Sequence, residues 1–283
     1  MNNVAFIINP FSAQQNYKPF LEALRQKVSE PRVYLSESVA GTEKFITDNF
    51  ENTTVFVAVG GDGTISSVAK KLIHTDKILA IFPAGSGNGF SRETNFVENL
   101  EDLLEKIRNH QFWEIDTFLV NGQLSINVSG TGFDGKVAKE FEKTSRGFLN
   151  YIKVSLKTFF KFKPIQIHFS SPEFQQHDGK YLMVNVANTR QFGNNAFIAP
   201  HASTIDGLAE IVLVQKFSLF YGAGFALKLF SGKLKEDRNL TYLSVPEIEF
   251  SVDTNDWHID GEYREIASPI HIKVLPKSLR ILS

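Results

Sequence analysis

Residues 53 to 64 decide the fold, and they read TTVFVAVGGDGT. The apolar run from Thr53 to Val59 is typical of a strand that is buried on both faces of a parallel sheet. It leads directly into Gly60-Gly61-Asp62-Gly63-Thr64, and a helical pattern follows from Ile65 to Ile73. A strand, a glycine turn and a helix in this order are the repeating unit of an α/β domain.

The same unit recurs on both sides of this stretch. Short apolar runs alternate with amphipathic segments, which predicts parallel strands linked by helices. The predicted strands are Val4–Ile8, Arg32–Leu35 and Ile78–Phe82, and the predicted helices lie near Pro19–Val28, Thr42–Phe50 and Leu100–Arg108. Residues 1–112 are therefore expected to form a Rossmann-like α/β domain.

The sequence changes character after about residue 112, where short strand-like runs are separated by turn signals. Asn121-Gly122 lies between the apolar runs Phe118–Val120 and Ser125–Val128, which predicts a two-residue hairpin. Residues 113–275 are expected to form a β-sandwich-like domain, and 276–283 to return to the first domain. The further predicted strands are Ile165–Phe169, Tyr181–Val186, Ala209–Val214, Glu247–Val252, Trp257–Ile259, Ile270–Val274 and Leu279–Leu282, with helices near Phe148–Phe160 and Leu219–Leu229.

Composition excludes several classes of site and partner. The 283 residues carry a formal net charge of −1, which gives no reason to expect nucleic acid, because its binders have a marked basic excess. The absence of cysteine excludes disulfides, zinc–thiolate sites and a cysteine nucleophile, and it fits a reducing cytoplasm. No apolar segment reaches the roughly 18 residues of a membrane span, so a bilayer would be met from the surface.

Three predicted strand ends carry small, polar or glycine residues: Asn9–Ser12, Gly60–Thr64 and Gly85–Gly89. In an open α/β sheet, ligands bind outside the carboxyl ends of the strands. Glycines let the backbone approach a ligand closely, and N–H groups at a helix start attract anionic oxygens. Three such turns on one sheet edge predict a polyphosphate site. Asp62 within it either acts through a magnesium ion or caps the next helix.

The motifs of this chain follow one another in a characteristic order. Gly60–Thr64 is followed by Pro83–Asn88, by Gly130-Thr131-Gly132-Phe133-Asp134 and, near the C-terminus, by Asp260-Gly261-Glu262. With this set the chain resembles the diacylglycerol kinase catalytic-domain family, specifically the soluble bacterial lipid kinases related to sphingosine and ceramide kinases. The first motif is shared with NAD kinases and, in a close variant, with phosphofructokinases. The resemblance therefore implies a phosphofructokinase-like or NAD-kinase-like N-terminal domain.

The resemblance also implies a nucleotide site and a metal site. Mg²⁺ is implied at Asp206, completed by main-chain oxygens of Ser203 and Leu208, although an ordinary Asp-Gly turn would give the same sequence. Many relatives carry an acid where this chain has Gly89. The implied contacts to ATP are Asn9, Ser12, Ser36, Gly60, Gly61, Asp62, Gly63, Thr64, Ser66 and Ser86.

Asp260 is the candidate general base, with Glu262 beside it. Phosphoryl transfer needs an oriented acceptor hydroxyl and a group that accepts its proton. Residues two apart on an extended strand share a face, so both carboxylates could face one cleft if the backbone here is extended. Sequence does not choose between the two acids. Without the resemblance, Asp260-Gly261 would read equally well as a hairpin turn.

The segment 146–163 interleaves lysines with aromatic residues. Such a helix can lie on an anionic bilayer with its apolar face down. Alternatively, it packs that face on its own domain while the lysines stay solvated. A second apolar segment with a basic end, Leu219–Lys235, presents the same choice.

Together these patterns predict an ATP-dependent kinase that phosphorylates the hydroxyl of a lipid alcohol, with diacylglycerol or a related lipid as acceptor. The alternatives are an NAD kinase-like phosphotransferase that acts on a soluble dinucleotide, and a catalytically silent lipid-binding or regulatory protein. The expected location is the cytoplasm, with peripheral contact at the inner face of the membrane. An exposed sheet edge of the second domain could pair two copies into a homodimer.

Overall fold

The computed structural model describes residues 3–12, 17–85, 88–94, 99–109, 111–144 and 148–283, without the side chains of residues 148 and 149. The chain divides into two compact units. The first unit comprises Met1–Ile115 and Lys277–Ser283, and the second comprises Asp116–Pro276. The division expected from the sequence lay after residues 112 and 275.

The first unit is built on a parallel sheet. Its elements are β1 (Val4–Ile8), α1 (Lys18–Lys27), β2 (Arg32–Leu35), α2 (Val39–Asp48), β3 (Val55–Gly60), α3 (Asp62–Leu72), β4 (Ile78–Pro83), α4 (Gly89–Glu93) and α5 (Leu100–Asn109). The strands lie in the order β2-β1-β3-β4, and each pairing is parallel. Residues Arg280 and Ile281 add a further parallel pairing to β4. The predicted alternation of strands and helices is confirmed.

The central strands of this sheet are buried along their whole length. All residues of β1 and β3 are buried, as the continuous apolar runs predict. Side chains of α1 and α5 pack with those of both strands in one core. Helix α3 begins at Asp62 rather than at Ile65, because the Gly61 carbonyl already accepts hydrogen bonds from the N–H groups of Thr64 and Ile65. The glycine turn is therefore the first turn of the helix.

In its described residues, the second unit is a two-sheet β structure with three α-helices and one short 3-10 helix, Gln175–His177. Its elements are β5 (Phe112–Val120), which starts in the first unit, β6 (Gln123–Ser125), β7 (Val128–Gly132), α6 (Phe133–Phe141), α7 (Phe148–Lys161), β8 (Ile165–Phe169), β9 (Gly179–Tyr181), β10 (Met183–Ala187), β11 (Ala209–Val214), α8 (Leu219–Ser231), β12 (Leu240–Val245), β13 (Glu247–Val252), β14 (Asp256–Ile259), β15 (Glu262–Glu265) and β16 (Ile270–Leu282), which ends in the first unit.

One sheet of this unit is antiparallel and has the order β12-β11-β10-β7-β14-β15. The other contains the first residues of β16 followed by β13, β8 and β9. Val184, Ile211 and Trp257 from the first sheet share one core with Ile167 and Phe250 from the second. Two sheets that share a core form a β-sandwich-like domain. The predicted fold class, an α/β domain followed by a β-sandwich-like domain, is confirmed.

The predicted hairpin is confirmed, but one of its strands is not. Val120 pairs with Gln123, and Asn121 and Gly122 have positive φ angles of 46° and 80°. The predicted strand Ser125–Val128 is wrong, because β6 ends at Ser125 and β7 begins only at Val128. The N–H groups between these strands donate to the Asp260 carboxylate instead of to a neighbouring strand.

The C-terminal strand is longer than predicted. Ile270–Val274 and Leu279–Leu282 belong to one continuous strand, β16. Within the described part of the chain, the helices are too short or too polar to cross a membrane.

Candidate active site

The carboxyl ends of the parallel strands are joined by a row of backbone hydrogen bonds. The N–H of Ser36 donates to the carbonyl of Ile8 at 2.8 Å, and the N–H of Asn9 donates to Val59 at 2.9 Å. Beyond β3, Ala84 donates to Gly60 at 2.8 Å. The turns that follow these strands therefore lie at one sheet edge, as the sequence predicts.

The Asn9 amide links the turn after β1 to the start of α3. Its Nδ2 donates to Thr64 Oγ1 at 3.0 Å, and its Oδ1 accepts from the N–H of Phe11 at 2.9 Å. Thr64 is buried, so its hydroxyl is held by this contact inside the sheet edge. Asn9 and Thr64 are 55 residues apart, and the structure brings these two predicted nucleotide contacts together.

The two glycine loops touch through their backbones. A Cβ atom on Gly85 would lie 2.5 Å from the Cα of Gly61, which no real contact allows. A Cβ on Gly60 would lie 2.5 Å from the Thr64 hydroxyl. Glycine is therefore required at these positions by close approach.

Asp62 joins the two glycine loops through its carboxylate. Oδ2 accepts from the N–H of Gly89 at 3.0 Å, and Oδ1 accepts from the N–H of Phe90 at 3.2 Å. These are the first two residues of α4, whose free N–H groups suit a carboxylate. The expectation that Asp62 caps its own helix is wrong, because Gly61 is the N-cap of α3 and Asp62 is its first residue.

The remaining predicted nucleotide contacts differ in their hydrogen bonds and burial. Ser36 shares a hydrogen bond of 2.8 Å with the Thr42 hydroxyl, and the N–H of Ser12 donates to the Asn9 carbonyl at 3.2 Å. Ser66 is buried on α3. Gly63 accepts at its carbonyl from the Ser67 hydroxyl. Ser86 lies outside the described residues.

In the second unit, the turn Asp260-Gly261 meets the loop between β6 and β7. Asp260 Oδ1 accepts from the Ser125 hydroxyl at 2.6 Å and from the N–H of Asn127 at 2.9 Å, and Oδ2 accepts from the N–H of Ile126 at 3.2 Å. The contact to Ser125 joins residues 135 positions apart. One carboxylate thus holds the Asp260 turn against the loop that precedes β7.

The expectation that Asp260 and Glu262 share one face of an extended strand is wrong. Ile259 pairs with Glu262, and Asp260 and Gly261 have φ angles of 50° and 87°, which makes them the two central residues of a tight hairpin turn. The Glu262 side chain is 51% exposed and bonds to Arg264 at 2.7 Å. The backbone reverses between the two acids because both turn residues are left-handed.

A buried polar chain supports this turn from beneath. His258 Nδ1 accepts from the N–H of Gly261 at 3.2 Å, and His258 Nε2 lies 3.1 Å from Asp134 Oδ2. The accepting Nδ1 places the ring proton on Nε2, where it donates to Asp134. Asn185 Nδ2 also donates to Asp134. His258 thus connects the Gly130–Asp134 motif to the turn.

The comparisons with known proteins agree with these motifs. The model named diacylglycerol kinase catalytic domain matches residues 3–120. The model named YegS C-terminal NAD kinase beta sandwich-like domain matches residues 127–283, more than half of the chain. The chain belongs to the diacylglycerol kinase catalytic-domain family.

Curated relatives of this family cover most of the chain. The diacylglycerol kinase of Bacillus subtilis (strain 168) is 25% identical over 279 residues, which are 93% of this chain and 90% of the relative. A protein of Pseudomonas aeruginosa (strain UCBPP-PA14) with the name "Probable lipid kinase YegS-like" is 29% identical and covers 80% of this chain and 75% of its own. A solved structure described as a diacylglycerol kinase from Bacillus anthracis str. Sterne matches with a TM-score of 0.74 at 20% identity. It covers 99% of this chain and 96% of its own, and it shows the shared fold.

The implied metal loop of this diacylglycerol kinase family member is ordered by Asp116, which sequence reasoning missed. The N–H of Gly207 donates to Asp116 Oδ2 at 2.6 Å, and the N–H of Asp116 donates to the carbonyl of Thr204 at 2.6 Å. Asp206 is exposed, and its Oδ1 accepts from the N–H of Leu208 at 3.0 Å, as in an Asx turn. Ser203 Oγ accepts from the N–H of Ile205 at 3.4 Å.

Across the described residues, acids and histidines form no group of three that could hold a metal. The implied set contains a single carboxylate, that of Asp206, and otherwise main-chain oxygens. The set around Asp206 therefore remains a prediction.

An ion pair fastens α6 to the hairpin that carries the Asp260 turn in this kinase-family fold. Lys139 Nζ lies 2.7 Å from Asp256 Oδ1, and the Tyr263 hydroxyl donates to the same oxygen at 2.9 Å. Burial by itself would raise the pKa of Asp256, but the hydrogen bonds from Lys139 and Tyr263 outweigh it and lower that pKa. The hydrogen bond to Asp256 raises the pKa of Lys139. Both groups are therefore charged at neutral pH.

Proposed function

We propose that this protein is an ATP-dependent lipid kinase that phosphorylates the hydroxyl of a lipid alcohol, with diacylglycerol or a related lipid as acceptor. The observation that carries the proposal is the pair of family matches, which together span residues 3–120 and 127–283. The name of the Bacillus subtilis relative, which aligns over 93% of this chain, supports diacylglycerol as the first acceptor to test.

The nucleotide is proposed to bind at the sheet edge of the first unit. Gly60, Gly61 and Gly85 let the two loops lie against each other and against Thr64, so that this edge presents backbone without side chains at these positions. Asn9 and Ser36 follow the adjacent strands and provide polar groups beside the turn. This combination of bare backbone and small polar side chains fits polyphosphate oxygens.

Magnesium is proposed as the cation that accompanies the nucleotide, and it would supply neutralisation of phosphate charge. Carboxylate and main-chain oxygens are the donors that Mg²⁺ prefers. The first unit offers the carboxylate of Asp62, whose two oxygens also accept from the N–H groups of Gly89 and Phe90. In the second unit, the loop around Asp206 separately offers a carboxylate and main-chain oxygens. The donor chemistry therefore fits a hard cation.

Of the two candidate acids, we propose Glu262 as the proton acceptor and Asp260 as the residue that fixes its turn. The Asp260 carboxylate already accepts from Ser125 and two backbone N–H groups, which occupies it as a structural acceptor. The Glu262 carboxylate makes an exposed pair with Arg264, and exposed ion pairs contribute little and yield readily to a substrate.

The substitution Glu262→Gln tests this assignment. We expect kcat to fall by about 10²-fold or more, the usual contribution of a general base, with nucleotide affinity and the unfolding midpoint unchanged. Glu265→Gln is the matched control, because it removes the same charge from the other end of β15. Asp260→Asn should abolish transfer while nucleotide binding persists, and it should also lower the midpoint, because an amide cannot accept from all three donors. Undiminished turnover by Glu262→Gln contradicts the assignment.

The function itself is tested by incubation with γ-labelled ATP, Mg²⁺ and a fractionated lipid extract. We expect label in the organic phase, on a phosphorylated lipid whose parent alcohol identifies the acceptor. Label on added NAD instead would support the NAD kinase-like alternative. No transfer to either acceptor, together with retained lipid binding, would support the catalytically silent alternative.

Because the acceptor lies in a membrane, we further propose peripheral contact through residues 146–163 at the cytoplasmic face. Ile152, Leu156 and Phe160 are exposed and recur every four residues along α7. Lys153, Lys157 and Lys161 are their exposed neighbours. A helix of this pattern can lie in the headgroup layer of an anionic bilayer. Residues 145–147 lie outside the described residues.

Homodimerisation through an exposed strand of the second unit also remains a proposal. Strand β12 is an edge strand of the antiparallel sheet, and an edge strand can pair with a second copy. Light scattering of the purified chain tests it, and a monomeric mass would exclude the dimer.

A further inference from the structure

Helix α8 exposes an apolar stripe that the rest of its unit does not cover. Phe220, Leu227 and Phe230 are 95%, 75% and 45% exposed. With Ala223 they recur at intervals of three and four residues, so they lie along one face of the helix. Large exposed apolar side chains in a row mark a surface that binds something apolar.

The opposite face of α8 is anchored in the core. Tyr221, Phe225 and Leu229 pack in a cluster with Phe217 and residues of β10 and β11. The Tyr221 hydroxyl donates to the Asp237 carboxylate at 2.8 Å. The outward stripe is therefore held in a fixed orientation.

Helix α7 adjoins α8 through an aromatic contact. The rings of Phe159 and Phe217 lie 5.6 Å apart, and Lys216 Nζ donates to the carbonyl of Phe162 at 2.9 Å. The end of α7 and the start of α8 thus share one cluster. The exposed residues of α7, among them Leu156 and Phe160, belong to the same region of the second unit.

Within the two helices and the residues beside them, up to Glu236 and Asp237, the charged side chains are all lysines. Residues 148–163 and 216–235 contain no Asp or Glu. Exposed lysines flank both stripes: Lys153, Lys157, Lys161, Lys163, Lys228, Lys233 and Lys235. A second copy of this chain would bring like charges together, whereas an anionic lipid surface complements them.

We propose that α7 and α8 form one docking surface for an anionic lipid bilayer, with the α8 stripe of Phe220, Leu227 and Phe230 entering the acyl boundary and the lysines at the headgroups. The inference rests on the proposed function in that the acceptor is a membrane lipid. It extends the contact from residues 146–163 to a second helix. Two amphipathic elements on one unit would hold the enzyme in a single orientation on the bilayer.

Sedimentation with vesicles, without nucleotide, tests the surface. Phosphatidylcholine vesicles with and without phosphatidylglycerol are compared for the full chain, for Phe220→Ser with Leu227→Ser, and for Lys157→Gln with Lys161→Gln. We expect binding that requires phosphatidylglycerol and that weakens about tenfold or more in each double variant, since an apolar side chain or a pair of lysines contributes at least that much. Val39→Ser is the control, because it removes an apolar residue that is 58% exposed from the first unit.

Two results would overturn the proposal. One is equal binding of the α8 variant and the full chain to phosphatidylglycerol vesicles. The other is a dimer in light scattering that Phe220→Ser with Leu227→Ser converts to monomers, because a second copy would then cover the stripe. Turnover of a short-chain, water-soluble diacylglycerol separates this proposal from the kinase proposal. This turnover should be unchanged in the α8 variant. If the full chain showed no such turnover, the result would count against the kinase proposal and not against the docking surface.

Discussion

At the scale of single residues, Gly85 is the position where the two loops leave no room. Its absent Cβ would lie 2.5 Å from the Gly61 Cα and 2.7 Å from Asn88 Oδ1. We expect Gly85→Ala to lower the free energy of unfolding by about 1–3 kcal/mol, because the backbone must move to relieve the overlap. Nucleotide affinity should fall with it, since the loops separate. Urea denaturation and nucleotide titration measure the two effects.

The matched control for this substitution is Gly224→Ala. No atom lies within 4 Å of the added Cβ at this helical position. Alanine should stabilise α8 by about 0.5–1 kcal/mol, the usual helix preference over glycine. If Gly85→Ala kept the free energy of unfolding and the nucleotide affinity of the unchanged chain, the prediction would be contradicted, because the two loops could then separate without loss of either.

His258 is the second residue whose role appears only in three dimensions. His258→Phe removes the acceptor for the Gly261 N–H and a donor to buried Asp134. We therefore expect the free energy of unfolding to fall by about 1–3 kcal/mol and kcat to fall as well. His258→Gln retains a donor and an acceptor and should restore most of kcat. Nucleotide affinity should be unchanged in both variants. Equal kcat in Phe and Gln variants would contradict a positioning role.

At the scale of elements, the strands with a clear apolar pattern were predicted best. Ile165–Phe169, Ala209–Val214 and Glu247–Val252 match β8, β11 and β13 at both ends. Their apolar residues alternate or run continuously between turn signals, so local sequence determines them. Strand β15, with the sequence EYRE, was missed because it has no apolar pattern and exists only as the partner of β14.

The candidate site was predictable where topology alone brings residues together. Asn9, Ser36 and Gly60 follow parallel strands, whose carboxyl ends must meet at one edge. The contacts of Asp62 with Gly89 and of Asp260 with Ser125 depend on how distant loops pack, which no local pattern records. For the same reason, the sequence left both an extended backbone and a hairpin turn open at Asp260, and the structure shows the hairpin turn.

The ion pair between α6 and β14 predicts a pH dependence of stability. The folded pKa of Asp256 is lowered, so its contribution is present above its ordinary pKa and is lost as the pH falls through the lowered value. Lys139→Met should therefore lower the free energy of unfolding at neutral pH. The difference from the full chain should shrink as the pH falls below the ordinary pKa of an aspartate and through the lowered pKa of Asp256.

Urea denaturation across this pH range measures the difference, and Asp256→Asn is the companion variant. Once the carboxylate is gone, Lys139→Met should have a much smaller effect, because the two residues act as a pair. A difference between Lys139→Met and the full chain that persists unchanged into acid would contradict the assignment to Asp256.

At the scale of the whole molecule, the two tryptophans report on different units. Trp113 belongs to the first unit, and Trp257 is fully buried in the core of the second. Trp257→Phe leaves Trp113 as the only indole, and Trp113→Phe leaves Trp257. Fluorescence can therefore follow the unfolding of each unit separately.

The proposed nucleotide site lies entirely in the first unit, so ATP with Mg²⁺ should raise the unfolding midpoint reported by Trp113 more than that reported by Trp257. A ligand at 100 times its Kd stabilises the state that binds it by about 2.7 kcal/mol, which is ample for detection. Each variant is compared with itself without nucleotide, which cancels the cost of the substitution. An equal shift from both probes would contradict independent unfolding of the units. A larger shift at Trp257 would contradict the nucleotide site itself, because stabilisation must originate where the ligand binds.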